Sequence, residues 1–414
     1  MHPRLKPALR RGWRSRDTVQ FGVARAHAVV LGPVDTATGS FLELLDGTRG
    51  MPLLRREARA MGLPEGRADA LVDRLAAAGL LDDPVEGAER AAAAWGRGAA
   101  LDRLRPDLAA LSVLSPEPGA AARLLAARGA MRVQVRGAGR VGAAVAALLS
   151  ASGVGQVDVM DGGRVEPWDV MPGGLPAERI GERRDAAARG LVRRSAPGPR
   201  PRRPAAGAVG SVSAPAGSGS ESAESAGSAG SAGSAGSAGS VSGSSGEPGL
   251  TLVVIAPRDG LAAYAPDPEE AEPLLASGTP HLYAGVLEAT GVLGPLVLPG
   301  ITPCAGCAAA RRAEREPTWP RMLAQWRSGR RRAGWACDTA LATVVAGVTA
   351  AHALGYLDGR LPPSAGARLE AALPSLTWET RRIEPHPECR CGAAGRTDAV
   401  YASVAEAQHA TMAR

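Results

Sequence analysis

A glycine turn, Gly137-Ala-Gly-Arg-Val-Gly142, stands between the strand-like RVQVR and an apolar helical run. The almost wholly apolar stretch LTLVVIA covers residues 250–256, and two close cysteine pairs lie about 80 residues apart. Together these features predict an α/β fold: a Rossmann-like, mostly parallel sheet with helices on both faces and a structural zinc site. A small winged-helix-like module is expected to precede it.

The elements follow in order. Residues 18–23 and 27–31 read as short strands around a turn, and helical patterns cover 38–45 and 52–61. The next pattern, 67–78, places Leu71 and Leu75 on one face and is followed by Gly79 in a cap position. A strand pair and three short helices suit a winged-helix-like module over residues 1–90, with a helical connector over 91–130. The main domain is expected over 131–395. It begins with a strand at 132–136, the glycine turn, a helix at 143–152 and a second strand at 155–160 that ends on Asp161. Further strands are expected at 250–256, 281–286 and 294–297, and a long apolar helix at 339–355. Residues 196–249 are Pro/Arg-rich and then Gly/Ala/Ser-rich, with a Ser-Ala-Gly triplet repeating from Ser225 to Ser240. Such a tract buries too little apolar surface to offset its ordering entropy, so it reads as a flexible insertion. Residues 396–414 read as a C-terminal tail.

At 414 residues the chain has room for two or three domains. No unbroken apolar run of membrane-spanning length occurs and the basic N-terminus lacks an apolar signal region, so a soluble cytoplasmic protein without a membrane partner is expected. The net charge of +7 is almost all arginine, Lys6 being the one lysine. With two Phe and four Tyr there is little to stack bases on, and the basic clusters read as solvated surface. No nucleic-acid partner is expected.

The glycine turn has the context a nucleotide fingerprint requires. Gly137 permits the tight turn, Gly139 lets phosphate approach the backbone, and Gly142 lets helix and strand pack. Phosphate then sits at a helix N-terminus, where free N–H groups favour anions. Asp161, about 20 residues on, is placed to hydrogen-bond ribose hydroxyls. Cys304-Ala-Gly-Cys307 and Cys389-Arg-Cys391 offer four thiolates in two pairs, the donor set of a tetrahedral zinc site. A redox CxxC is the competing idea, but its usual thioredoxin-like setting is missing. His386, three residues before Cys389, reads as a bystander, and Trp319 and Trp326 read as packing for a crossover helix. An NAD(P)-dependent oxidoreductase shares the glycine fingerprint but not the cysteine pairs.

GAGRVG, GVGQVDVMD, Val165-Glu166, the Ile180–Arg184 segment and GPLVLPGITPCAGC together resemble the ThiF/MoeB/HesA group, relatives of the ubiquitin-activating enzymes, over about residues 110–395. The resemblance implies an ATP-dependent adenylyltransferase: ATP with Mg2+ activates the C-terminal carboxylate of a carrier protein or precursor peptide, and the enzyme commonly pairs as a homodimer. By position it implies Gly137, Gly139, Gly142 and Asp161 at the nucleotide, and Arg184 where the family has a phosphate-binding lysine. Asp259 falls where the family has a magnesium-binding aspartate. Cys337 lies in the region where some members carry a nucleophilic cysteine, whose pKa a helix N-terminus would lower.

Two positions depart from the pattern. Asp169 and Pro172 stand where the family has a nucleotide-contacting Asn and Arg, and an acid beside a polyphosphate disfavours adenylation. Asp169-Val-Met-Pro-Gly-Gly174 resembles the ThiF-like proteins that accompany azole-forming YcaO enzymes, and the N-terminal module is similar in pattern to PqqD-like leader-peptide binders. The alternative expectation is therefore an ATP-inactive scaffold that binds a leader peptide and partners a YcaO-type cyclodehydratase.

Overall fold

The computed structural model describes residues 1–95, 98–198, 249–328 and 335–394. Nearly all of the glycine/serine-rich insertion, and the C-terminal tail, lie outside these.

The N-terminal region is built from β1 (Arg4–Leu5), β2 (Arg11–Ser15), β3 (Thr18–Phe21), β4 (Val29–Leu31), α1 (Thr36–Glu43), α2 (Met51–Ala60), α3 (Arg67–Ala77) and β5 (Leu81–Asp82). β2, β3 and β4 form an antiparallel three-stranded sheet, and β1 pairs with β5. Val19, Phe21, Leu31, Phe41, Leu54, Leu71 and Leu75 close one core beneath the sheet. Asp35 caps α1 by accepting a hydrogen bond from Thr38 N at 2.7 Å, which starts that helix two residues earlier than its apolar pattern does. β2 escaped the sequence reading because all five of its residues are exposed and it carries no alternating apolar signal.

Helices α4 (Pro84–Trp95), α5 (Ala99–Arg103), α6 (Arg105–Leu114) and α7 (Ala120–Ala130) follow, packed around Trp95, Leu104, Leu111 and Leu125. The last turn of α7 carries Arg128, whose guanidinium forms two hydrogen bonds to the Asp358 carboxylate, at 2.7 and 2.6 Å.

The larger sheet contains β6 (Arg132–Arg136), β7 (Gln156–Met160), β8 (Leu250–Ile255), β9 (His281–Leu287), β10 (Thr290–Val297), β11 (Ala367–Ala372) and β12 (Trp378–Arg382). Their spatial order is β12-β11-β10-β9-β8-β6-β7. β7, β6, β8 and β9 pair in parallel, and β10, β11 and β12 add on by antiparallel pairing. Five of the seven strands thus run one way, with β10 and β12 opposed. The helices here are α8 (Arg140–Ala151), α9 (Arg184–Ser195), α10 (Leu261–Tyr264), α11 (Pro268–Ala276), α12 (Ala305–Arg315), α13 (Trp319–Ser328) and α14 (Thr339–Leu357). Apolar residues of α8, α9 and α14 share one core with Val133, Val135, Leu252, Val254, Leu282 and Ala284. Tyr283, pointing to the opposite face of β9, joins a second cluster with Val297, Cys304 and Cys307. β8 is buried on both faces through its middle and β9 along most of its length, which is why LTLVVIA has no polar alternation, whereas β6 and β7 alternate buried and part-exposed residues.

α14 bears on the membrane reading of the sequence. An 18-residue window of this 19-residue helix has a mean hydropathy of 1.6, and by length and composition alone the helix could cross a membrane. Thr, Gly and His interrupt its apolar run, so the unbroken-run criterion passed over it. Leu341, Ala342, Val345, Ala346, Ala350 and Ala353 are buried in the core beneath β9 and β10, the position of a core helix.

Backbone segments approach one another closely at the glycine turn. Gly137 has φ +102°, and a Cβ there would sit 2.0 Å from the Ala256 carbonyl oxygen. A Cβ on Gly142 would sit 2.1 Å from the Gly137 oxygen. Gly142→Ala should therefore destabilise the protein by roughly 1–3 kcal/mol through overpacking of α8 against β6. Chemical denaturation checks this, and an unchanged midpoint would show that helix and turn separate freely.

Candidate functional site

β6 ends in the glycine turn, and Gly139 is the N-cap of α8 without a side-chain cap. The first N–H groups of α8 are thus left for an outside acceptor, and the helix dipole adds positive potential there. Asp161, at the end of β7, braces this turn from the side. Its carboxylate accepts hydrogen bonds from Ala138 N at 2.8 Å, Gly163 N at 2.9 Å and Arg184 Nε at 2.9 Å.

Arg184 is the first residue of α9, and its guanidinium is already committed. Besides Asp161 it donates to the Arg164 carbonyl at 2.7 Å and lies 3.6 Å from the Asp169 carboxylate. In this structure it orders the acids around the turn rather than standing free for phosphate.

Asp169 is only 2% exposed, and its charge is answered within the fold. One oxygen accepts from Arg258 Nε at 2.7 Å, and the other from Glu166 N at 2.9 Å. Arg258 also ion-pairs with Glu166 and packs against the rings of Trp335, at 4.6 Å, and Trp168, at 5.7 Å. A Cβ on Gly139 would come within 3.2 Å of Arg258 Cγ, so this arginine lies directly on the glycine turn. Sequence reasoning missed Arg258. Its one signal was an arginine beside an aspartate at the exit of an apolar strand.

The neighbouring Asp259 is exposed, and one of its oxygens accepts from Leu261 N at 3.0 Å. It lines a cavity of about 840 Å3 together with Arg258, Glu288, Trp319, Trp326 and Trp335. Trp319 is buried and does pack α13, whereas Trp326 is 46% exposed and faces this cavity as well. The cavity abuts the phosphate turn through Arg258.

Cys337 lies just outside α14. The helix N-cap is Asp338, whose carboxylate takes the Leu341 N–H at 3.0 Å. Burial pushes the Cys337 thiol up, with the Arg140 charge only partly opposing it. The lowered pKa expected of a helix N-terminus is therefore not what these surroundings produce.

The four remaining cysteines meet. Their sulfur atoms all lie within 4.8 Å of one another, with Cys304–Cys307 at 4.0 Å and Cys304–Cys389 and Cys307–Cys391 at 3.5 Å. A tetrahedral ion with bonds of about 2.3 Å requires sulfur separations near 3.8 Å, so the donor set fits zinc. A Cβ on Gly306 would lie 3.2 Å from the Cys389 sulfur and 3.4 Å from that of Cys304, so the middle of the CxxC is kept small. The His386 ring turns away to Glu314, at 2.9 Å, and is the bystander expected.

A family model described as the ThiF family matches residues 120–202, a segment running from α7 through the glycine turn, Asp161, Asp169 and α9. Residues 120–202 thus carry the ThiF-family pattern. Solved structures share the fold of the ThiF-like chain across most of its length. E. coli MccB with AMPCPP and MccA aligns with a TM-score of 0.62 at 13% identity, covering 95% of this chain and 100% of that one. E. coli MccB with ATP aligns at 0.61 and 12%, covering 94% and 99%. The heterocyclase TruD aligns at 0.53 and 17%, covering 95% of this chain and 43% of the longer one. Comparison with curated proteins returns no match.

Proposed function

We propose that this ThiF-family protein is an ATP-dependent adenylyltransferase that activates a carboxylate of a precursor peptide. The observation that carries the reading is the internal neutralisation of Asp169 by Arg258 and Arg184. An acid at this position was the main argument for an ATP-inactive scaffold, and its charge does not reach the phosphate turn unopposed. The likeness to MccB, whose structures include ATP and its precursor peptide MccA, supports the same reading.

In this proposal Gly137, Gly139 and Gly142 admit the phosphates to the start of α8, and Asp161 holds the ribose. The peptide enters the cavity beside Asp259. Its carboxylate oxygen attacks the α-phosphorus, the bond from that phosphorus to the bridging oxygen breaks, and pyrophosphate leaves with its electron pair. The protein's work is to align the carboxylate with the α-phosphate and offset the developing charge. Asp259 has one oxygen without a protein partner among the described residues, which suits a magnesium ion held by a single carboxylate and the substrate phosphates. Such an ion would supply charge neutralisation at the leaving group. The cysteine cluster is proposed to hold structural zinc. Cys337, with its raised pKa, is a weak nucleophile here, and no step is assigned to it.

Among the described residues the exposed strand β2 pairs only with β3, which leaves its other edge open there, and we assign residues 1–90 to gripping the precursor. Five cysteines without a disulfide suit a reducing cytoplasm. Pairing into a homodimer is what the family resemblance implies and belongs to the same proposal, whereas a YcaO-type partner enzyme goes with the scaffold alternative.

Purified protein with a candidate peptide should exchange labelled pyrophosphate into ATP. Asp259→Ala should slow this by about 100- to 1,000-fold, the usual loss for one electrostatic element of a transition state. Absence of exchange with every cognate precursor tried, while those peptides bind, would reject the reaction.

A further inference from the structure

Three arginines surround the phosphate turn, and they are not equivalent. Arg184 and Arg258 are both ion-paired, to Asp161 and Asp169 and to Asp169 and Glu166 respectively. Three carboxylates against two guanidiniums leave one net negative charge at the turn. Arg140, the first residue of α8, forms no ion pair among the described residues. Its Nε donates to the Trp168 carbonyl at 2.7 Å and its Nη1 to the Cys337 carbonyl at 2.6 Å. Carbonyl oxygens hold a guanidinium in place without cancelling its charge. Nη2 is left without a protein partner among the described residues.

We infer that Arg140 is the phosphate-binding cation of this site, resting on the proposed adenylation and doing the work for which Arg184 is no longer free. Three observations converge on it. It follows the N-cap Gly139, so its charge adds to the positive end of α8 where an anion would sit. Its side chain is fixed by carbonyls from two separate segments, 166–169 and 335–338, so it is oriented before any ligand arrives. And it offsets the net negative charge that the paired acids leave at the turn, which would otherwise repel a triphosphate. Arginine suits the task because its planar fork can keep its carbonyl partners while Nη2 meets a phosphate oxygen.

The test measures equilibrium binding of Mg-ATP and of adenosine to the full chain and to its Arg140→Ala and Arg140→Lys variants. Arg140→Ala should weaken ATP about 10- to 100-fold, the range of a charge-assisted hydrogen bond, and leave adenosine unchanged. Arg140→Lys should recover part of the ATP affinity. Equal weakening of ATP and adenosine would mean that Arg140 only ties two loops together, and would overturn the inference, as would undiminished ATP binding by Arg140→Ala. If the unaltered chain binds no ATP, the adenylation reading falls along with the inference. If it binds ATP and only the Arg140 result fails, that reading stands.

Discussion

Chelating the metal from the four-cysteine cluster, or replacing Cys304 with serine, should lower the melting temperature by well over 10 °C and remove about one zinc per chain. Zinc bound by four thiolates contributes apparent free energies of roughly 10–16 kcal/mol in small domains, comparable with the whole stability of a typical fold. Each kcal/mol lost shifts the melting point of a domain of this size by about 2–4 °C. The geometry explains why so much rests on the cluster. Cys304 caps α12 and Cys307 lies in its first turn, while Cys389 and Cys391 belong to the last described segment, beyond β12. That segment is also held by Arg311 Nη2 donating to the Pro385 carbonyl and by the His386 ring against Glu314, each at 2.9 Å, and a metal would join it to the start of α12. Cys304 and Cys307 are buried, so without a metal the site would be left with crowded thiols and no counter-charge. Elemental analysis and a thermal scan with and without chelator decide the matter. A stoichiometry near zero with an unchanged transition would reject the metal.

The second large effect is expected at Asp358. Its side chain is wholly buried against Arg128, which is itself 6% exposed, and Arg360 adds a further contact at 2.6 Å. The pair joins the end of α7 to the end of α14, so it fastens the helical connector to the larger sheet. Asp358→Ala would leave a guanidinium buried without its partner and should cost about 3–5 kcal/mol. Arg128→Met together with Asp358→Leu should recover much of that loss, because the burial of both charges is removed along with their attraction. Urea unfolding of the single and double variants measures it. A single variant within about 0.5 kcal/mol of the natural chain would show that the site admits water.

Much of this molecule was legible because its signals are local. The order β6, glycine turn, α8, β7, Asp161 appears in sequence as it does in space, since a tight turn with no room for a Cβ can hardly be written without Gly137 and Gly142. The cysteine spacing marked a metal cluster for the same reason, as each short turn presents two sulfurs on its own. The antiparallel half of the sheet was less visible. β12 has a mostly exposed, charged surface, and β11 alternates around alanines, so neither carries a strong strand signal.

The meaning of Asp169 shows where local reading stops. By itself the sequence determined that an acid stands in the nucleotide-facing segment, that Pro172 follows it, and that a Rossmann-type turn lies upstream. Only the tertiary structure decided what the acid does. Arg258, 89 residues away, bonds to one of its oxygens, and Arg184 stands near the other. The same packing commits Arg184 to two carboxylates and, among the described residues, leaves Arg140 bonded to carbonyls alone. Charge compensation depends on distance through space, and the strand order that brings β8 beside β6 sets that distance. Residue types and spacing therefore determined the frame and its cysteine cluster, while the sheet decided which charges at the glycine turn cancel and which remain.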